Sequence, residues 1–307
     1  MLVSIILLIL GFAMLSKGAD VLVDGASAMA RKFNIPEIVI GLTIVACGTS
    51  APEAAVSISS VINGASGVGV GNILGSNIAN ILLILGVSAL ITNLYVQKNT
   101  ILYEIPFVAF ISVLLMFMGW QYGTVSRVSA LVLCVLFVLF LFYLFVISKN
   151  QKTENSNVEK MSSIKMILFI LIGIAALVVG AKLTVNSAIN IARALNISER
   201  VIGLTVIAFG TSLPELVTCI AAAIKKHSDI AIGNIVGSNI FNILFVLGVT
   251  GLIQPIPFEN AFLIDSAWGI VATVLLWIFV VNDKKLTKGK GLILLMMYVV
   301  YVISLIR

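Results

Sequence analysis

Apolar stretches of about 20 residues or more, each long enough to cross a bilayer core, follow one another through the whole chain with short polar breaks between them. The pattern predicts ten membrane-spanning helices, at about 2–30, 36–60, 67–91, 101–121, 125–147, 164–193, 199–224, 229–252, 258–281 and 288–306. The first and sixth are longer than the hydrocarbon thickness requires, so they are expected to tilt or to protrude. The first stretch reads as a span rather than a cleaved leader, because it lacks a basic n-region and a clear small-residue cleavage site. Only one polar stretch is long. Residues 148–163 are rich in Lys, Asn and Ser and read as a flexible linker between two halves.

The two halves carry the same motifs. Residues 41–53 (Gly-Leu-Thr-Ile-Val-Ala-Cys-Gly-Thr-Ser-Ala-Pro-Glu) recur 162 positions later, at 203–215, as Gly-Leu-Thr-Val-Ile-Ala-Phe-Gly-Thr-Ser-Leu-Pro-Glu. A second motif, Gly-Asn-Ile-Leu-Gly-Ser-Asn-Ile-Ala-Asn at 71–80, returns at the same offset as Gly-Asn-Ile-Val-Gly-Ser-Asn-Ile-Phe-Asn at 233–242. Without a gap, residues 41–86 and 203–248 are identical at 24 of 46 positions. Five spans per unit is an odd number, so the second unit enters the membrane from the opposite face, the inverted-repeat plan of secondary transporters. The expected fold is therefore an all-α polytopic membrane protein with about ten transmembrane helices. It consists of a first five-helix repeat (1–147), a cytoplasmic linker (148–163) and a second, inverted repeat (164–307), with broken helices at the midplane.

An ionisable residue inside a span is costly and marks a functional site by default. Glu53 and Glu215 are such residues, each directly after a proline. Pro52 and Pro214 lack an N–H and crowd the carbonyl four residues earlier, so each predicts a break at the preceding Gly-Thr-Ser. Unwound backbone at membrane depth is tolerated where it lines a polar cavity. This makes the carbonyls of Ala46 and Ala208 and the hydroxyls of Thr49 and Thr211 candidate cation ligands. In the second motif Ser76 and Asn80 lie four residues apart, as do Ser238 and Asn242, so each pair shares a helix face. The glycines at 71, 75, 233 and 237 form small-residue faces suited to close helix approach.

The resulting set is all oxygen, as hard cations prefer, and Ca²⁺ takes about 6–8 such ligands in flexible geometry. Soft ligands that favour transition metals are absent from it apart from Cys47, whose counterpart is Phe209 and which reads as packing. Two ionised Glu and one Ca²⁺ sum to zero, so the loaded site is neutral in a low-dielectric interior. An unfilled pair of carboxylates is unfavourable there, which favours exchange against Na⁺ or H⁺ over simple leak.

Composition agrees. The chain is 60% hydrophobic and only 10% charged, against roughly a quarter charged in soluble domains. Its net charge of +6 does not point to nucleic acid, because the basic residues cluster in loops. Thirteen Lys and Arg fall in the first, third, fifth, seventh and ninth loops and four on the opposite side. The positive-inside rule places those loops in the cytoplasm and both termini outside, in a multi-pass cell-membrane protein. No nucleophile–base pair, metalloprotease motif or phosphate-binding loop suggests an enzyme. No bound cofactor is implied, and His227 beside Lys225 and Lys226 reads as a surface residue. A channel would assemble a selectivity ring from several subunits, whereas this chain holds its own symmetric pair, so a monomeric transport unit is expected.

The paired Gly-Thr-Ser-x-Pro-Glu and Gly-Asn-x-x-Gly-Ser-Asn-Ile-x-Asn motifs resemble the alpha repeats of the sodium/calcium exchanger family, of the prokaryotic type without a large regulatory loop. The resemblance extends over essentially the whole chain. It implies alternating access, with Ca²⁺ moving one way and Na⁺ the other as the transported ions. Passages would lie between the first spans of each half and the remaining bundle. It puts the ion ligands at Ala46, Thr49, Glu53, Ser76 and Asn80, and at Ala208, Thr211, Glu215, Ser238 and Asn242. Several family members carry Asp where this chain has Asn242. Proton/calcium exchangers of the same superfamily typically show a Gly-Asn-x-x-Glu pattern instead, which leaves H⁺ coupling as the alternative.

Overall fold

The computed structural model describes residues 2–150, 161–195 and 208–306. Most of the linker and the start of the seventh predicted span, including 203–207 of the repeated motif, lie outside the described residues. Among the described residues, eight helices are long and apolar enough to cross a membrane: Leu2–Phe33, Ser66–Ile91, Thr100–Tyr122, Arg127–Lys149, Ser163–Ala194, Ser228–Ile253, Asn260–Val281 and Lys288–Leu305. A ninth span, the second in order, is the bent pair Glu37–Thr49 and Ala51–Ile62. The seventh span is described from Ala208, as Ala208–Gly210 and Leu213–Ile224. The third and eighth spans, Ser66–Ile91 and Ser228–Ile253, are the most buried and form the centre.

The first and sixth spans pack against each other through glycines. A Cβ added to Gly11 would stand 2.9 Å from the Gly180 carbonyl, and one added to Gly18 would stand 3.1 Å from the Gly173 carbonyl. Without side chains at these points the two backbones come into direct contact, and dispersion replaces the hydrophobic drive that lipid does not supply. Gly11 and Gly173 are repeat counterparts, as are Gly18 and Gly180. Each therefore meets the counterpart of the other, in antiparallel helices, as a two-fold axis lying in the membrane plane requires.

Among the described residues, four two-residue strands add to the all-helical pattern. Leu94–Tyr95 pairs antiparallel with Lys285–Leu286, and Thr124–Val125 pairs with Ile256–Pro257. Leu94–Tyr95 and Ile256–Pro257 are repeat counterparts, yet they sit at opposite ends of the fourth span. In each case a loop of one half satisfies the backbone groups of a loop of the other at the membrane edge.

One end of the bundle gathers the basic segments. Lys32 donates to Ser163 Oγ at 2.6 Å and Gln97 to Asp229 at 2.5 Å, His227 lies 2.9 Å from Glu37, and the Val96 N–H donates to the Lys284 carbonyl at 2.8 Å. The His227–Glu37 contact corrects the expectation of a free surface histidine: its ring is held between the loop and the second span.

Candidate ion-binding site

The second span breaks at Ser50 (φ −81°, ψ 7°), and its two parts differ in direction by 49°. Pro52 and Pro214 fall in the first turn of the helices that follow, which also carry Glu53 and Glu215 in their first turn. A carboxylate there benefits from the helix dipole. Both are buried, 1% and 0% exposed.

The two halves meet in hydrogen bonds that come in repeat-related pairs. Ser50 Oγ donates to Glu215 Oε1 at 2.8 Å, and Ser212 Oγ to Glu53 Oε1 at 3.3 Å. Thr49 Oγ1 donates to Asn234 Oδ1 at 2.9 Å, and Thr211 Oγ1 to Asn72 Oδ1 at 3.3 Å. Asn80 Nδ2 donates to Asn239 Oδ1 at 2.9 Å, and Asn242 Nδ2 to Asn77 Oδ1 at 3.1 Å. Asn77 and Asn239 also donate to each other's backbone carbonyls, at 3.4 and 3.1 Å. Ser76 Oγ lies 3.3 Å from Ser212 Oγ and, with the single Ser212 proton on Glu53, donates to it. Six residues without an assigned role in the motif reading thus hold the site together: Ser50, Ser212, Asn72, Asn234, Asn77 and Asn239. Their signal in the sequence was identity at offset 162.

These bonds use one polar atom of each glutamate and of Asn80 and Asn242 and leave the other, and the Ser238 hydroxyl takes part in none of them. Glu53 Oε2, Glu215 Oε2, Asn80 Oδ1, Asn242 Oδ1 and Ser238 Oγ are all buried without a hydrogen-bond partner. A buried polar atom left unpaired costs roughly 1–3 kcal/mol, so five of them in the repeated motifs are unfavourable without a ligand. All five are oxygens, and two belong to carboxylates, which is a donor set for a hard cation.

The backbone near Asn80 and Asn242 is underwound locally into π-helix, at Asn80–Ile84 and Phe241–Val246. A further such segment, Gly41–Val45, precedes Ala46. Such bulges shift the ladder by one residue and re-aim side chains, frequently at functional sites. Close backbone contact sets the depth of Ala46: a Cβ on Gly237 would lie 2.6 Å from the Leu42 carbonyl and 2.8 Å from the Ala46 Cβ. The expectation of a freed Ala46 carbonyl needs correction. It still accepts from the Ser50 N–H at 3.0 Å and from the Thr49 hydroxyl at 3.2 Å. The carbonyl that proline deprives of its helical donor is that of Gly48. Ala46 regains a lone pair when the single Thr49 proton points to Asn234 instead. Of Ala208 only the backbone is described, at the start of its short helical piece.

The network is not sealed equally from both ends. Thr49 and Asn234 are buried, whereas their counterparts Thr211 and Asn72 are partly exposed. Gly67, five residues before Asn72, faces Phe262 and Glu259, beside the strand pair Thr124–Val125 and Ile256–Pro257. The partly exposed pair therefore lies toward the end away from the basic segments.

Residues 3–146 and 165–307 match the family described as sodium/calcium exchanger protein. The chain is 35% identical over 344 residues to the sodium/calcium exchanger MaX1 of Methanosarcina acetivorans, covering 99% of this chain and 98% of that one. It is also 35% identical over 301 residues to an uncharacterized membrane protein of Methanocaldococcus jannaschii, covering 97% and 96%. A solved structure of the sodium-calcium exchanger NCX_Mj, soaked with zero Na⁺ and Ca²⁺, superimposes with a TM-score of 0.87 at 34% identity, covering 99% of both chains.

Proposed function

The chain belongs to the sodium/calcium exchanger family, and from that premise we propose that Ca²⁺ and Na⁺ compete for one site at the interface of its two halves. It is a multi-pass membrane protein and a calcium/sodium antiporter, with Ca²⁺ and Na⁺ as its substrates. The observation that carries the site is the group of five buried, unpartnered oxygens on Glu53, Glu215, Asn80, Asn242 and Ser238. Thr49, Thr211, Ser76 and the carbonyls of Ala46 and Ala208 complete the ligand set.

Electrostatics supplies the exchange rule. One Ca²⁺ or two Na⁺ neutralise the two carboxylates, whereas an unfilled site leaves two like charges in a low-dielectric interior, where their repulsion is strong. Passage of the site from one side to the other is then favoured only when ions occupy it. The sequence divides into the halves 1–147 and 164–307 with the linker 148–163 between them. The basic end faces the cytoplasm by the positive-inside rule, which puts the partly exposed side of the site, and both termini, outside. Thr211 and Asn72 line that side.

The test is uptake of ⁴⁵Ca²⁺ by purified protein in liposomes loaded with Na⁺. Uptake is expected when Na⁺ inside exceeds Na⁺ outside, and to stop when the gradient is abolished. Uptake without any Na⁺ gradient at an equal rate would be the behaviour of a channel.

A further inference from the structure

Behind the central amides the two halves differ. Two cavities of about 10 Å³ each occupy repeat-related places. One is bounded by Leu74, Asn77 and Ile243, and the other by their counterparts Val236, Asn239 and Ile81. The cavity at Asn239 is otherwise closed by Ile105, Val108, Leu276 and Thr273, whose hydroxyl is already committed to the Gly269 carbonyl at 2.8 Å. At Asn77 three of the remaining walls are polar, Ser112, Asp265 and Ser266, beside Leu115 and Gly269. The repeat counterparts of Asp265 and Ser266 are Tyr103 and Glu104, which line a separate apolar crevice between the fourth and fifth spans.

We propose that the cavity formed by Asp265, Ser266, Ser112 and Asn77 binds a single Na⁺, separately from the central carboxylates. Ser266 Oγ is 3% exposed and has no hydrogen-bond partner. Ser112 Oγ donates to the Val108 carbonyl at 2.8 Å, which leaves its lone pairs unused. Asp265 Oδ1 accepts from the Tyr301 hydroxyl at 3.3 Å. The ligands are all oxygen and carry one negative charge. One Na⁺ is balanced by it, while a divalent ion would retain an uncompensated charge in the membrane interior. The volume suits one water-sized sphere, so an ion enters without its hydration shell.

The cavity is tied to the transport site through one residue. Asn77 Oδ1 accepts from Asn242 Nδ2 at 3.1 Å, and Asn77 is also a wall of the cavity. A cation drawing on Asn77 Oδ1 weakens its hold on Asn242, whose own Oδ1 belongs to the unpartnered set. Na⁺ at Asp265 thereby adjusts the central site without entering it.

The proposal uses the Na⁺-driven exchange proposed above as its readout, but it concerns a different site. The experiment compares wild type, Asp265→Asn and Ser266→Ala, purified and reconstituted in liposomes. Two activities are measured: the Na⁺ dependence of Ca²⁺ uptake, and Ca²⁺ self-exchange in Na⁺-free medium, which draws on the central carboxylates alone. For Asp265→Asn the half-saturating Na⁺ concentration is expected to rise about fivefold or more and the Hill coefficient to fall by about one, with self-exchange within about twofold of wild type. Ser266→Ala, which removes one neutral ligand, is expected to shift the Na⁺ curve in the same direction by about two- to threefold. Na⁺ curves of both variants that coincide with wild type would overturn the proposal. So would a loss of self-exchange proportional to the loss of Na⁺-driven uptake, since Asp265 would then merely support the central site. If Asp265→Asn does not insert, Ser266→Ala is judged by the same two criteria. Absence of Na⁺-driven uptake in wild type would instead refute the antiport reading, so the two failures are distinguishable.

Discussion

The hydroxyl of Ser50, at the break in the second span, donates to Oε1 of Glu215 in the seventh at 2.8 Å. The bond crosses between the halves, and its repeat counterpart, Ser212 to Glu53, crosses the other way. Each carboxylate is thus aimed by a serine of the opposite half, and Oε2 of each is left for an ion. Hydrogen bonds to a charged group contribute roughly 1.5–3 kcal/mol. Ser50→Ala and Ser212→Ala are therefore expected to raise the half-saturating Ca²⁺ concentration about tenfold or more, without loss of membrane insertion. Ca²⁺ titration of uptake by each variant checks this, and an unchanged value would mean that the serines do not position the carboxylates.

Asn77 and Asn239 act as the corresponding clamp for Asn242 and Asn80. Asn239→Ala removes the acceptor that fixes the Asn80 amide, and Asn77→Ala does the same for Asn242. Each is expected to reduce Ca²⁺ transport about tenfold at subsaturating Ca²⁺. Asn239→Asp keeps the acceptor and is expected to retain more activity than Asn239→Ala. Initial rates of the three variants decide the order.

Backbone contact between the second and eighth spans leaves no room at Gly237. Its added methyl would fall 2.6 Å from the Leu42 carbonyl, whereas one on Gly289 meets nothing within 4 Å. Overpacking of this kind costs about 1–3 kcal/mol. Gly237→Ala is expected to lower the thermal unfolding midpoint in detergent and to impair transport, and Gly289→Ala to change neither. Equal melting curves for the two would contradict the packing.

The inverted arrangement sets the reactivity of introduced cysteines. With Cys47, Cys134 and Cys219 replaced, a cysteine at the exposed Lys98 is expected to react with a membrane-impermeant maleimide only from the cytoplasmic side, and one at the exposed Asn260 only from outside. Labelling of both from one face would rule out the five-plus-five plan.

The sequence carried much of this architecture, for a physical reason. Membrane spans must be apolar along their length and helical throughout, so Leu2–Phe33 or Asn260–Val281 could be read to within a few residues. Glu53 and Glu215 stood out because charge is rare at that depth, and Pro52 because it forces a break. The neutral clamps were harder to see. Ser50, Asn72 and Asn77 sit beside more conspicuous residues, and only their bonds across to the other half reveal what they hold. The π-helical turns at Asn80 and Asn242 shift the ladder by one residue inside an unbroken apolar run, which leaves no trace in the hydrophobic pattern. Likewise the strand pairs at Leu94 and Ile256 are two residues long, too short for any alternation to register.

The account stands on the two carboxylates acting together as the charge that Ca²⁺ and Na⁺ share. The most direct measurement is Na⁺-driven ⁴⁵Ca²⁺ uptake by Glu53→Gln and Glu215→Gln, each reconstituted after its membrane insertion and thermal stability have been compared with wild type. Glutamine keeps the size and an oxygen ligand but removes one of two charges, and the lost attraction to a divalent ion is large in a low-dielectric site. The expected result is that each single variant inserts normally and shows about a hundredfold or greater loss of uptake. Uptake near the wild-type rate by either correctly folded variant would contradict the paired-carboxylate site.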